Sequence, residues 1–331
     1  MKTLILSLLI SLNAFAISES DFRPVYEAQV QPHFDSFKAG HFQNRQGLRV
    51  AFKYKINPQA TRSIVVLPGR TESVIKYAEL LFDLSSSKTN LFIIDHQGQG
   101  LSQRSLKDSQ KGYVRDFSFY VDDLEQYMDQ VVVPHSKNLD LFLVAHSMGG
   151  AIAAHYLARH PQQFTKAVLS APMMKLNTDP YPEFAARLLS STLALAGKGA
   201  NYAPGKGPYK PDEDTFENNT ATHSRARFEL SRSQLIKFPK QTTAGPTVRW
   251  VEQSLKATRR IHLLAPSIHT PILMFQAEKD TYVVNDRQTS FCTLSASCKL
   301  LRFPGAYHEI LHEKDVIRQK ALEQIRKFLK L

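Results

Sequence analysis

Short, wholly apolar runs separated by amphipathic stretches give the chain its rhythm, and that rhythm predicts an α/β protein. Leu48 to Tyr54 alternates apolar and polar residues, as expected of an antiparallel strand near a sheet edge with one solvated face. Ser63-Ile64-Val65-Val66-Leu67 is apolar without alternation and stops at Pro68-Gly69, the pattern of a strand buried on both faces of a parallel sheet. Similar runs recur at Leu91 to Ile94, Leu139 to Val144, Lys166 to Ser170, Pro271 to Phe275 and Lys299 to Phe303. Between them apolar residues fall at helical spacing: through Ile75, Ala78, Leu81 and Leu84, over Tyr120 to Met128, to His160 after residue 147, and from about Asp315 to Leu329. The segment before Gly40 reads as an irregular, aromatic-rich lead-in.

From about residue 172 to 265 the alternation breaks into helical pieces with many Pro and Gly breakers. The expected organisation is therefore a core in two parts, 17–171 and 266–331, interrupted by a helical cap at 172–265. Strand–helix alternation with one helical interruption implies a mostly parallel sheet, helices on both faces and an inserted cap. Three features of composition refine this. Met1-Lys2, the apolar run Leu4 to Ile10 and Ala14-Phe15-Ala16 have the layout of a secretory signal peptide over residues 1–16. This predicts a periplasmic or secreted protein, with an uncleaved N-terminal anchor as the alternative. Cys292 and Cys298 are the two cysteines. In an oxidising compartment they form a short-range disulfide or stay as two thiols, and no His or Cys beside them has metal-ligand spacing. The 42 Lys and Arg against 30 Asp and Glu give a net charge of +12, which favours anionic partners such as a phospholipid surface. The basic residues are scattered and no nucleic-acid motif is present, so no nucleic-acid partner is expected.

The chemistry sits at strand ends. Ala145-His146-Ser147-Met148-Gly149-Gly150 follows a buried strand and opens a helix. A serine hydroxyl is a weak nucleophile until a base takes its proton, and a sharp strand-to-helix turn flanked by small residues lifts it above the sheet. This is a nucleophile elbow with Ala145 in place of the first glycine. A cap serine at a helix N-terminus is the bland alternative. The partners follow in the order Ser, acid, His. Asp280 lies just past the strand ending at Phe275, with Glu278 and Asp286 as rivals, and His308 lies on the loop after the last strand. His308 would be the general base and Asp280 would fix its tautomer. The amides of Met148 and Arg70 are the expected oxyanion donors. Asp95-His96-Gln97-Gly98-Gln99-Gly100-Leu101-Ser102 lacks the third glycine of a dinucleotide loop, since position 103 is Gln, and reads as a structural turn beside the site.

Together with Ala277-Glu278-Lys279-Asp280 and Gly305-Ala306-Tyr307-His308-Glu309, these motifs resemble the monoacylglycerol lipase/lysophospholipase group of α/β-hydrolases. The resemblance runs from about Gly47 to the C-terminus, and the cap stretch Glu217 to Ser224 is similar to bacterial lysophospholipase L2. It implies the α/β-hydrolase fold, a triad of Ser147, Asp280 and His308, and oxyanion amides at Arg70 and Met148. It also implies hydrolysis of the acyl ester of a lysophospholipid or monoacylglycerol without metal or organic cofactor. Pro68 stands where relatives commonly carry His. His146, His223 and Arg225 are the candidate substrate-binding residues, with Arg227 beside them; a solvated basic face is the alternative reading of the last three. Phe184, Leu188, Leu189, Leu193 and Leu195 line an acyl channel or form the cap's own core. A proline-type aminopeptidase, anchored on Glu213 or Asp214, and a non-catalytic binding protein are the competing functions.

Overall fold

The computed structural model describes residues 16–331; the expected signal peptide lies outside them except for Ala16. Eight strands form one sheet: β1 (Lys38–Gln43), β2 (Arg49–Lys55), β3 (Arg62–Leu67), β4 (Thr89–Ile94), β5 (Asp140–His146), β6 (Lys166–Ser170), β7 (Ile272–Ala277) and β8 (Cys298–Phe303). Their spatial order is β1-β2-β4-β3-β5-β6-β7-β8. The β1–β2 and β2–β4 pairs are antiparallel and the other pairs parallel. The alternating segment at residues 48–54 is thus antiparallel, as expected, one strand in from the edge.

The unalternating strands are apolar because both of their faces are covered. Val65, Leu67, Phe92, Ile94, Leu141 and Leu143 point into one core, and Ile64, Val66, Leu91, Ile93, Phe142 and Val144 into another. Successive side chains of a strand face opposite ways, so each run supplies two cores at once. The helices, in chain order, are α1 (Phe22–Val25), α2 (Gln31–Asp35), α3 (Ala78–Asp83), α4 (Ser118–Tyr127), α5 (Met148–Arg159), α6 (Glu183–Leu193), α7 (Arg225–Lys237), α8 (Val248–Thr258), α9 (Asn285–Leu294) and α10 (Asp315–Leu329). The first core is closed by α4 and α5, the second by α1, α3 and α10.

The lead-in is not irregular. α1 and α2 are joined by a wider helical turn at Tyr26–Val30, and Phe22, Tyr26, Val30 and Phe34 are buried at steps of four residues. Pro24 and Pro32 look like breakers in sequence. Pro32 directly follows the wider turn, which Gln31 closes by donating its N–H to the Tyr26 carbonyl, so the helical run continues past a residue that has no N–H to give.

Helices α6, α7 and α8 lie between β6 and β7, in the region expected to be the cap. Arg227 of α7 ties this insertion down. Its guanidinium is only 2% exposed and donates to Glu79 of α3 (2.9 Å), Asp315 of α10 (3.1 Å) and the carbonyl of Ile17 (2.9 Å). Cys292 and Cys298 are joined as a disulfide between α9 and the start of β8.

Candidate active site

Ser147 occupies the turn between β5 and α5 with φ 51° and ψ −117°. A non-glycine residue there costs on the order of 1–3 kcal/mol and persists only where the surroundings impose it. They do so here. Ser147 donates its amide to the Ser170 carbonyl, and its own carbonyl accepts from Gly150 and Met173. A Cβ on Gly149 would lie 2.5 Å from the Leu67 carbonyl oxygen, and one on Gly150 would lie 2.5 Å from Cβ of Pro172. The start of α5 is therefore pressed against the end of β3 and the turn after β6. Small residues here are a condition of the packing.

His308 reaches across from the loop after β8. Its Nε2 lies 2.8 Å from Ser147 Oγ and its Nδ1 lies 2.7 Å from Asp280 Oδ2. Asp280 Oδ1 accepts the amides of Tyr282 (2.8 Å) and Val283 (3.0 Å), which fixes the carboxylate against the ring. The rivals stand elsewhere. Glu278 Oε2 accepts the Gly305 amide, and Asp286 lies in the first turn of α9. The rings of His146 and Tyr282 pack on His308 at 4.8 and 4.9 Å between centroids.

The loop after β3 brings the Arg70 amide to the same edge of the sheet as Met148, and neither amide has a hydrogen-bond partner among the described residues. The 95–102 turn holds this loop from below. His96 Nε2 meets the Pro68 carbonyl at 3.1 Å, Gln99 donates to the carbonyls of Gly69 (2.7 Å) and Glu72 (3.0 Å), and Asp95 accepts the amides of Val74 and Leu101. Burial holds the His96 imidazole down at about 4 and pushes the Asp95 carboxyl up to about 7.

A buried ion cluster escaped the sequence reading. Lys76 Nζ lies 2.8 Å from Glu72 and 2.5 Å from Glu309, the residue after His308. Burial opposes the charge on Lys76, but Glu309 and Glu72 outweigh it and hold its pKa above the ordinary lysine value. Glu72 Oε2 in turn accepts the Gly69 amide and the Tyr77 hydroxyl. The cluster joins the loop after β3 to the loop that carries His308. Periodicity could not reveal it, because Glu72 and Lys76 belong to no motif and meet Glu309 only when the two loops come together.

The other candidates divide. His146 is buried, contacts the Ser170 carbonyl through Nδ1 and packs on His308; burial lowers its pKa, so it is a neutral support for the histidine rather than a ligand in open space. His223 pairs with Glu313 at 2.7 Å and stacks on Tyr307, and the exposed Arg225 pairs with Glu217. Both are turned to carboxylates and neither lines the cavity of about 270 Å³ that opens beside the triad, where Thr71, Lys76, Asp214, Arg232, Tyr282 and Glu309 form part of the wall. Arg227 is spent on Glu79 and Asp315. Phe184, Leu188, Leu189 and Leu195 do not form a cap core; all four are exposed.

Residues 58–315 match the family described as Hydrolase_4, "Serine aminopeptidase, S33". The chain belongs to this family. Within it, the chain is 33% identical over 316 residues to "Probable lysophospholipase L2" of Haemophilus influenzae, covering 95% of this chain and 98% of that protein. It is 38% identical over 272 residues to "Lysophospholipase L2" of Escherichia coli K12, covering 80% and 79%. The fold is shared with a soluble variant of monoglyceride lipase from Saccharomyces cerevisiae, at a TM-score of 0.71 and 18% identity over 89% of this chain and 94% of that one. The chain is thus an α/β-hydrolase of the lysophospholipase and monoacylglycerol lipase group and a carboxylic ester hydrolase.

Proposed function

We propose that the protein hydrolyses the acyl ester of a lysophospholipid through a Ser147–His308–Asp280 triad. The observation that carries the mechanism is the continuous chain Asp280–His308–Ser147 at 2.7 and 2.8 Å, set on a strained turn. In this reading Ser147 Oγ attacks the ester carbonyl carbon as its proton passes to His308 Nε2. The amides of Arg70 and Met148 bind the oxyanion. Collapse breaks the bond to the glycerol oxygen, which takes the proton from His308 and leaves an acyl-serine. Water, deprotonated by the same histidine, then attacks the acyl-serine, and His308 returns the proton to Ser147 Oγ as the fatty acid leaves. Asp280 keeps Nδ1 protonated and stabilises the imidazolium.

The choice of lysophospholipid over monoacylglycerol rests on the two L2 relatives at 33% and 38% identity; mouse "Monoglyceride lipase" is 26% identical over 291 residues. The test uses purified protein with lysophosphatidylethanolamine, monoolein and an aminoacyl nitroanilide. Fastest release from the lysolipid supports the reading, and fastest release from either of the others overturns it. A fluorophosphonate should label wild type, and Ser147→Ala should lose label and at least a thousandfold in turnover. Near-wild-type turnover in that variant would refute the triad.

The site of action is proposed to be the periplasm, or outside the cell, on the strength of residues 1–16 and the cysteine pair. Peripheral contact with an anionic membrane fits the net charge of +12 and the exposed apolar residues Phe184, Leu188 (68% exposed) and Leu195 (88% exposed). No helix of the described residues is long and apolar enough to cross a membrane. Sedimentation with phosphatidylglycerol vesicles, weakened in Leu188→Ser, is the expected result; equal binding by the variant would remove this face from the contact.

A further inference from the structure

The 270 Å³ cavity beside the triad carries charges that ester hydrolysis leaves unused. Lys76 is matched by Glu72 and Glu309, a trio with one net negative charge. Arg232 of α7 is not matched. Its Nε donates to the Asp214 carbonyl at 2.7 Å and its Nη2 to the Pro211 carbonyl at 3.0 Å, while Nη1 has no partner and no carboxylate lies within ion-pair distance among the described residues. The Asp214 carboxylate is on the same wall. It accepts the Tyr209 hydroxyl and has no cation within 4.0 Å among the described residues. Two backbone carbonyls thus hold a guanidinium, and a tyrosine holds a carboxylate, on the wall of one cavity.

An unmatched cation and an unmatched anion on one wall are complementary to a zwitterion. An acyl chain in this space would strip water from Arg232 and Asp214 and return nothing for it. A purely anionic group would meet Glu72, Glu309 and Asp214 against only Lys76 and Arg232. We infer that this cavity is the head-group subsite for a zwitterionic glycerophospholipid, with the phosphate on Arg232 and the ammonium on Asp214. Ile75, Phe228, Leu235 and Phe238, the apolar part of the wall, face the carbon atoms between those two charges. Thr71, Tyr282 and Glu309 belong both to this wall and to the triad's surroundings, so a head group held here keeps the ester at the serine. The inference rests on the lysophospholipase reading and names the part of that substrate each residue takes. A guanidinium–phosphate contact is planar and forked, which Lys reproduces only as a point charge.

The experiment measures kcat/KM for lysophosphatidylethanolamine, lysophosphatidylglycerol and monoolein in identical nonionic micelles. Every result is taken as a ratio within one preparation, which cancels any loss of folded enzyme. In Arg232→Gln the ratio of each lysophospholipid to monoolein should fall about tenfold or more, as expected for a charged hydrogen bond, with partial recovery in Arg232→Lys. In Asp214→Asn the ratio of lysophosphatidylethanolamine to lysophosphatidylglycerol should fall by a similar factor. An unchanged ratio in Arg232→Gln overturns the phosphate assignment, and an unchanged ratio in Asp214→Asn overturns the ammonium assignment. If wild type hydrolyses monoolein but neither lysophospholipid, the proposed function fails instead.

Discussion

At the scale of single residues, sequence order leaves Asp280, Glu278 and Asp286 as rivals, because all three follow the same strand. Geometry separates them: Asp280 faces His308 Nδ1, whereas Glu278 caps the Gly305 amide. Asp280→Asn keeps an oxygen for the Tyr282 and Val283 amides but presents an NH₂ to the imidazole and favours the wrong tautomer. Turnover should drop about 10⁴-fold, the size seen for such a change in serine proteases, with the unfolding midpoint little altered. Glu278→Gln should stay within a few-fold of wild type; the reverse pattern in steady-state kinetics would transfer the role to Glu278. The elbow gives a second test. Ala145 serves where a glycine is usual because only its own small volume is at issue, but Gly149 abuts the Leu67 carbonyl. Gly149→Ala should therefore misplace Ser147, with loss of fluorophosphonate labelling and a fall of several °C in the thermal midpoint. Full labelling at unchanged midpoint would show that the contact is soft.

At the scale of elements, the central strands were legible because a run buried on both faces has no alternation to hide. The helical lead-in was not. Its apolar residues recur every fourth position, but the two prolines and the short length mask a period that becomes meaningful only against the face closed by α3 and α10. The partners of the basic residues between β6 and β7 were hidden for a related reason. His223, Arg225 and Arg227 share a stretch, yet their carboxylate partners Glu313, Glu217, Glu79 and Asp315 are mostly distant in sequence. Exposure decides what each pair is worth. Removing one partner of a buried pair leaves an uncompensated charge and costs about 3–5 kcal/mol, whereas an exposed pair is worth about 0–1 kcal/mol. Glu79 keeps Arg318 at 3.1 Å, so the lower end applies. Arg227→Leu should lose about 3 kcal/mol in urea unfolding and Arg225→Leu less than about 1 kcal/mol. Similar losses from both would mean that Arg227 does not anchor the cap.

At the scale of the whole molecule, the same burial that builds the site sets its response to acid. His33 and His96 are held down at about 4, and His146, His155 and His312 are also lowered, each first by burial. Unfolded, these rings titrate near 6.5, so as pH falls below about 6.5 the unfolded chain binds more protons at these sites than the folded one, down to about pH 4 for His33 and His96. Their contribution to stability is present above pH 6.5 and is lost as pH falls through that window. Asp95 and Asp123, raised to about 7 chiefly by burial, and Asp83, also raised by burial, act in the opposite sense, because they take up protons in the folded state first. The histidines outnumber them, and the net charge of +12 grows on acidification and adds self-repulsion. The urea midpoint should therefore be lower at pH 5 than at pH 7.5. His96→Gln should flatten that dependence by about one proton while weakening the bond to the Pro68 carbonyl, and Asp95→Asn should steepen it. A midpoint that rises on acidification would mean that the buried carboxyls, not the histidines, govern the acid limb.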